Sequence, residues 1–154
     1  MKKYFLLGIF SLKLIVSLFA QQSERITYQE LRADGTYVRD ITVNAIFMGW
    51  AQRQFSLDGN FLVTYECTRL TNEDKWSDWH LVGREPALSL TLRGYYDNLL
   101  RQYSRYPRVG IKIYYNGYEI LVMASIPNGR SFPIWWRDDG RAIFLFQKMY
   151  LIAP

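Results

Sequence analysis

The chain reads as an α+β protein, an antiparallel β-sheet built from hairpins with one main helix, about residues 86–106, packed on it. Three observations predict this class. Asp34-Gly35, Asp58-Gly59, Asn116-Gly117 and Asp139-Gly140 are dipeptides suited to tight hairpin turns, where the backbone must take positive φ. Between them apolar residues recur with the period of two that lines one face of a strand. A single stretch breaks that period: Leu88, Leu92, Tyr95, Leu99, Leu100, Tyr103 and Tyr106 are spaced to form one face of a helix.

The elements follow in chain order. Phe61 to Thr68 alternates, with Phe61, Val63, Tyr65 and Cys67 on one side and Leu62, Thr64, Glu66 and Thr68 on the other, so Cys67 reads as a small buried hydrophobe. Pro86 suits the first turn of the helix and Pro107 stops it after Tyr106, while Gly94 leaves room for a strand over 88–92 and a shorter helix from about Tyr95. With Asn116-Gly117 as a two-residue loop, Tyr115 faces Tyr118, Ile113 faces Ile120, Ile111 faces Val122 and Val109 faces Ala124. Around Asp139-Gly140, Ile134 and Trp136 share a face with Ile143 and Leu145, and Trp135, Arg137, Ala142 and Phe144 share the other. The nearly unbroken apolar run from Ile143 to Ile152 predicts a central strand or two short ones.

Residues 1–20 read as an export signal and 21–154 as a single exported domain. Lys2 and Lys3 precede the apolar run Tyr4 to Phe19, and Ala20 is followed by the polar Gln21-Gln22-Ser23-Glu24-Arg25. Lys13 interrupts the run and Leu18 is larger than the small residue preferred three places before the cut, which keeps an uncleaved N-terminal anchor as the rival reading. The expected location is secreted or periplasmic. The single cysteine excludes an intrachain disulfide, and no Asn-Xaa-Ser/Thr sequon occurs, which favours a bacterial envelope setting.

The formal charge of +5 overstates the basicity of that domain. Three of nineteen basic residues lie in 1–20 and all fourteen acids beyond, so sixteen bases face fourteen acids, a net of +2. That is an ordinary surface charge and gives no support to a nucleic-acid partner. His80 is the only histidine, so no multi-histidine metal site and no cofactor is expected. A Cys67–His80 nucleophilic pair and carboxylate pairs drawn from Glu66, Glu119, Asp138 and Asp139 are the catalytic candidates, and the chain reads as a non-enzyme in preference to an exported hydrolase.

The unusual feature is aromatic load, 17% of the chain, with all five tryptophans beyond residue 20. Trp76, Trp79, Trp135 and Trp136 are the concentrated sites, and an outward ring with Arg137 or Arg130 beside it suits a glycan, peptide or partner protein outside the cell. Neighbouring rings on a strand point oppositely, so one of Trp135 and Trp136 is core and the other presented. Trp76-Ser77-Asp78-Trp79 resembles the Trp-Ser-x-Trp-Ser signature of cytokine-receptor fibronectin modules over four residues, but His80 replaces the second serine and the cysteine framework is missing. Arg93, Asp97, Arg101 and Arg105 recur every four residues on the helix; together with Arg108 the four arginines form a candidate anion site for lipid phosphate or an acidic polymer. The leading expectation is an exported non-catalytic binding or assembly module. The alternative is a small outer-membrane β-barrel, with membrane contact possible but not favoured.

Overall fold

The computed structural model describes residues 22–89, 91–115, 117–125, 133–136 and 139–153; residues 1–20, expected from the sequence to be an export signal, and Arg137 and Asp138 lie outside them. In chain order the elements are β1 (Glu24–Leu31), β2 (Tyr37–Asp58), β3 (Phe61–Leu70), β4 (His80–Pro86), α1 (Leu92–Arg105), β5 (Gly110–Tyr115), β6 (Tyr118–Ala124), β7 (Ile134–Trp136) and β8 (Ile143–Ile152). Among the described residues the named strands pair antiparallel, in one sheet of order β4-β3-β2-β8-β6-β5, with β1 on β2 and β7 on β8. Among the described residues the protein is thus mostly antiparallel sheet with one helix.

The four glycine turns sit where the dipeptides place them: Gly35, Gly59, Gly117 and Gly140 all have positive φ between paired strands. The registers Ile113↔Ile120, Ile111↔Val122, Trp135↔Phe144 and Trp136↔Ile143 are those the alternation implies. Two expectations need correction. The four turn dipeptides by themselves imply a meander of strands in chain order, but β8 inserts between β2 and β6 as the central strand. Nor does the helix begin near 86: Pro86 closes β4, opposite Phe61, and Leu88 is 96% exposed. The helix starts at Leu92, where the Thr91 side chain accepts the Gly94 N–H at 3.3 Å. The apolar spacing at Leu88 belongs to the connection, which is tied to the helix by the Tyr95 hydroxyl receiving the Leu88 and Ser89 N–H groups.

The sheet curls into a half-barrel. β1 crosses back until Gln29 bridges Val109, its N–H donating to the Arg108 carbonyl at 2.8 Å. Tyr28 is buried with Ala45, Leu121 and Tyr150 although β1 and β6 are not neighbours in the sheet, which marks this side as concave. The outer face carries two apolar clusters. One joins Ile46, Met48, Leu70, Ile120, Met149 and Leu151. The other joins Ile134, Ile143 and Leu145 to Tyr103, with Leu92, Tyr95, Tyr96 and Leu99 of α1 against it. Between them lies a polar rung: Ala51 is flanked by Thr68 and Gln147, both buried, and neither Thr68 Oγ1 nor Gln147 Oε1 has a hydrogen-bond partner.

Gly49 makes the long β2 possible. Its register with β8 slips between Phe47 and Gly49, the mark of a bulge, and Gly49 adopts φ +151°. A Cβ there would stand 2.3 Å from the Arg69 carbonyl oxygen, so only glycine lets β3 approach. Gly49→Ala is expected to destabilise the protein by about 2 kcal/mol or more, read from the urea unfolding midpoint. A shift of under about 0.5 kcal/mol would show that the two backbones separate freely at the bulge.

Candidate functional site

Aromatic residues gather on the concave face at the end away from β1. Even-numbered residues of β8 point to this side with Tyr150, so Phe144 and Phe146 form its floor. β7 lies beside β8 with Trp135 opposite Phe144, and the two rings stack at 5.7 Å with planes 15° apart. Trp135 also lies 6.4 Å from Phe146. The β3–β4 connection supplies the rest. Ser77 pins it to β3, its Oγ accepting the Thr68 N–H at 2.9 Å and its own N–H donating to the Thr68 carbonyl at 2.8 Å. So anchored, Trp76 meets Phe146 edge-on at 6.2 Å and Trp79 lies 6.1 Å from Phe144. The result is a five-ring platform from three separate segments, half-buried except for Trp79, which is 39% exposed.

No known protein family, curated protein or solved structure matches this chain. Its chemistry is therefore read from the geometry alone.

Trp136 goes the other way, as strand alternation requires. On the outer face it stacks on Tyr96 of α1 at 4.8 Å with planes 5° apart, and the Arg93 guanidinium lies 5.3 Å from its ring centre. The predicted tryptophans thus divide: Trp76, Trp79 and Trp135 come together, and Trp136 anchors the helix side. Phe144 and Phe146 complete the platform; their signal was the alternation of Phe with aliphatic residues along β8, which a count of tryptophans overlooks.

The arginine stripe also divides. Arg93 is engaged by Asp97 at 3.2 Å, and Arg108 by Asp40 at 3.3 Å on the β2 side. Arg101 and Arg105 line one recess of about 250 Å³ with Asp34, Gln102 and Tyr106. Hydrogen bonds from the Thr36 hydroxyl and backbone N–H hold the Asp34 carboxyl below its usual range, so that recess carries a carboxylate beside its arginines. The structure does not gather Arg93, Arg101, Arg105 and Arg108 around one point.

Catalytic geometry is equally specific. His80 is in register with Glu66, one residue from Cys67, so alternation turns the imidazole and thiol to opposite faces. Burial, then the nearby Glu66 charge, push the Cys67 thiol up to about 12, which leaves it neutral near pH 7. Among the described residues no three His, Cys, Asp or Glu side chains gather to hold a metal ion. Cys67 is expected to resist a soluble disulfide reagent in the native protein and to react fully on unfolding; rapid native labelling, followed by absorbance, would contradict its burial.

Glu66 is the buried charge. Its Oε2 accepts the Arg53 Nε–H at 3.0 Å, yet burial raises its carboxyl above the ordinary value more than Arg53 lowers it. The ionised form is thus disfavoured on folding, and this group's contribution to stability is present below the ordinary carboxyl range and lost as pH rises through the raised value. Between about pH 4 and pH 7 the unfolding midpoint of the native protein is expected to fall relative to that of Glu66→Gln. A rise over that interval would mean that the Arg53 attraction dominates.

Proposed function

We propose that the chain is an exported, non-catalytic binding module that engages a partner outside the cell or in the envelope through the Trp76, Trp79 and Trp135 platform. One observation carries this reading: the β3–β4 connection and the β7–β8 hairpin, distant in sequence, converge their rings on one sheet face, and Trp79 keeps 39% of its surface exposed. Large planar side chains with few rotors give contact area at small entropic cost, which is why they anchor recognition surfaces. A core needs no such exposure. In this reading α1 covers the opposite face through Tyr103 and the Tyr96–Trp136 stack, leaving the platform side free.

Flat indole faces suit pyranose rings and proline-rich segments, and Gln52 and Gln54, in register with Phe146 and Phe144, supply amides beside the rings. Apolar clusters on both faces of the sheet support this module over an outer-membrane barrel, whose lumen is polar.

The test uses chitin, cellulose, peptidoglycan and a proline-rich peptide as probes, with tryptophan fluorescence as the readout. The native protein is expected to bind at least one of them. Trp79→Ala should weaken that binding about tenfold with little change in unfolding midpoint, whereas Tyr114→Ala, a distant exposed aromatic, should not. Binding by Trp79→Ala equal to the native protein's, or no binding to any probe, would overturn the reading.

A further inference from the structure

A recess of about 430 Å³ lies between the start of β1, the end of β6 and the Lys148 to Tyr150 stretch of β8. Backbone contacts hold its walls. The Gln29 N–H donates to the Arg108 carbonyl at 2.8 Å and the Gln29 side chain accepts the Arg108 N–H at 3.1 Å, which brings Pro107 to the same wall as Thr27. On the far side the Ser125 N–H donates to the Phe146 carbonyl at 3.1 Å and fixes the end of β6 against β8. A concavity framed by such contacts is preorganised for a ligand.

Its charge is one-sided. Arg25 and Lys148 both line it, and its lining residues include no Asp or Glu. Elsewhere surface cations are matched: Arg39 by Glu30, Arg84 by Asp58, Arg93 by Asp97 and Arg108 by Asp40. Among the described residues neither Arg25 nor Lys148 forms an ion pair; the Lys148 Nζ lies 5.8 Å from the centre of the Phe47 ring. Glu24 is close enough to add to burial in raising the Tyr150 hydroxyl, but it is not part of the recess wall. Two cations facing one concavity repel each other, and an anion between them turns that repulsion into attraction. The Arg101 and Arg105 recess differs, because Asp34 already stands in it.

The remaining lining indicates what the anion carries. Thr27 and Ser125 add hydroxyls, while Met123 and Tyr150 form an apolar wall. The volume falls in the range of small-molecule sites, about 300–1,000 Å³, and so admits an organic body beside the charged group. The geometry points to a binding site for an organic phosphate monoester, its phosphate between Arg25 and Lys148 and its apolar body against Met123 and Tyr150. A phosphate monoester near its dianionic form matches two cations, whereas a carboxylate leaves one unmatched. The inference does not rest on the aromatic platform. Lys148 shares the concave face with Phe146, yet none of the five platform rings lines the recess.

Isothermal titration calorimetry of the native protein with phenyl phosphate, inorganic phosphate and benzoate tests the site. Phenyl phosphate is expected to bind, and at least severalfold more tightly than the other two. Arg25→Gln and Lys148→Gln should each weaken that binding about tenfold, and Arg105→Gln, at the other recess, should leave it unchanged. Arg25 is exposed at the start of β1, so its variant is expected to keep the native unfolding midpoint and carries the test even if Lys148→Gln fails to fold. Sedimentation with phosphatidylcholine vesicles, with and without phosphatidic acid, separates the two sources of the ester. Phenyl phosphate binding joined by co-sedimentation that needs phosphatidic acid and weakens in Arg25→Gln assigns a lipid headgroup; phenyl phosphate binding without it assigns a soluble ester. No binding of phenyl phosphate, equally tight binding of inorganic phosphate or benzoate, or an Arg25→Gln affinity equal to the native protein's would overturn the proposal.

Discussion

The pairing of β8 with β2 is the constraint on which the other contacts rest. β2 runs from Tyr37 to Asp58 and must serve β1 with its first half, β3 with its second and β8 across its middle. A straight strand cannot face three partners in a sheet that also curls. The bulge at Gly49 lets it turn, and the close approach of Arg69 there leaves no room for a Cβ. Because β8 is the last strand, its insertion between β2 and β6 joins the two ends of the chain into one sheet.

That insertion also distributes the side chains of β8 between two environments. Its odd-numbered residues build the outer face, where Ile143 and Leu145 meet α1 and Met149 and Leu151 form a separate cluster. Its even-numbered residues line the concave side, where Tyr150 is enclosed by β1 and Phe144 and Phe146 lie under the tryptophans. One strand thereby supplies core to both faces. The polar residues Thr68, Gln147 and Glu66 interrupt the outer face between its clusters, and burial without full pairing makes this rung the electrostatically costly part of the fold.

Much of the local architecture was legible. The glycine dipeptides marked the hairpin turns because positive φ is a demand on a single residue, and alternation gave the β5–β6 and β7–β8 registers because a short turn leaves one pairing that keeps the apolar face continuous. The start of the helix was not legible. Leu88 falls at helical spacing by coincidence, and the Thr91 cap outweighs it by supplying the hydrogen bond that a first turn lacks. The candidate site was half legible: tryptophan clustering named Trp76, Trp79, Trp135 and Trp136 and alternation split the last two, but nothing local said which of that pair joins Trp76 and Trp79, nor showed that Arg93 and Arg108 are each engaged by a carboxylate.

The sequence by itself determined the hairpins, a helix ending before Pro107, the splitting of Trp135 from Trp136, and the modest charge left once residues 1–20 are set aside. These are properties of neighbours along the chain, governed by backbone geometry and side-chain period. Only the tertiary structure decided that β8 takes β2 and β6 as its neighbours, that Ser77 holds Trp76 and Trp79 over Phe146 and Phe144, and that Cys67 and His80 face apart. Those outcomes depend on which distant strands pair, and pairing is chosen by the burial of whole faces, a quantity that no short stretch of sequence contains.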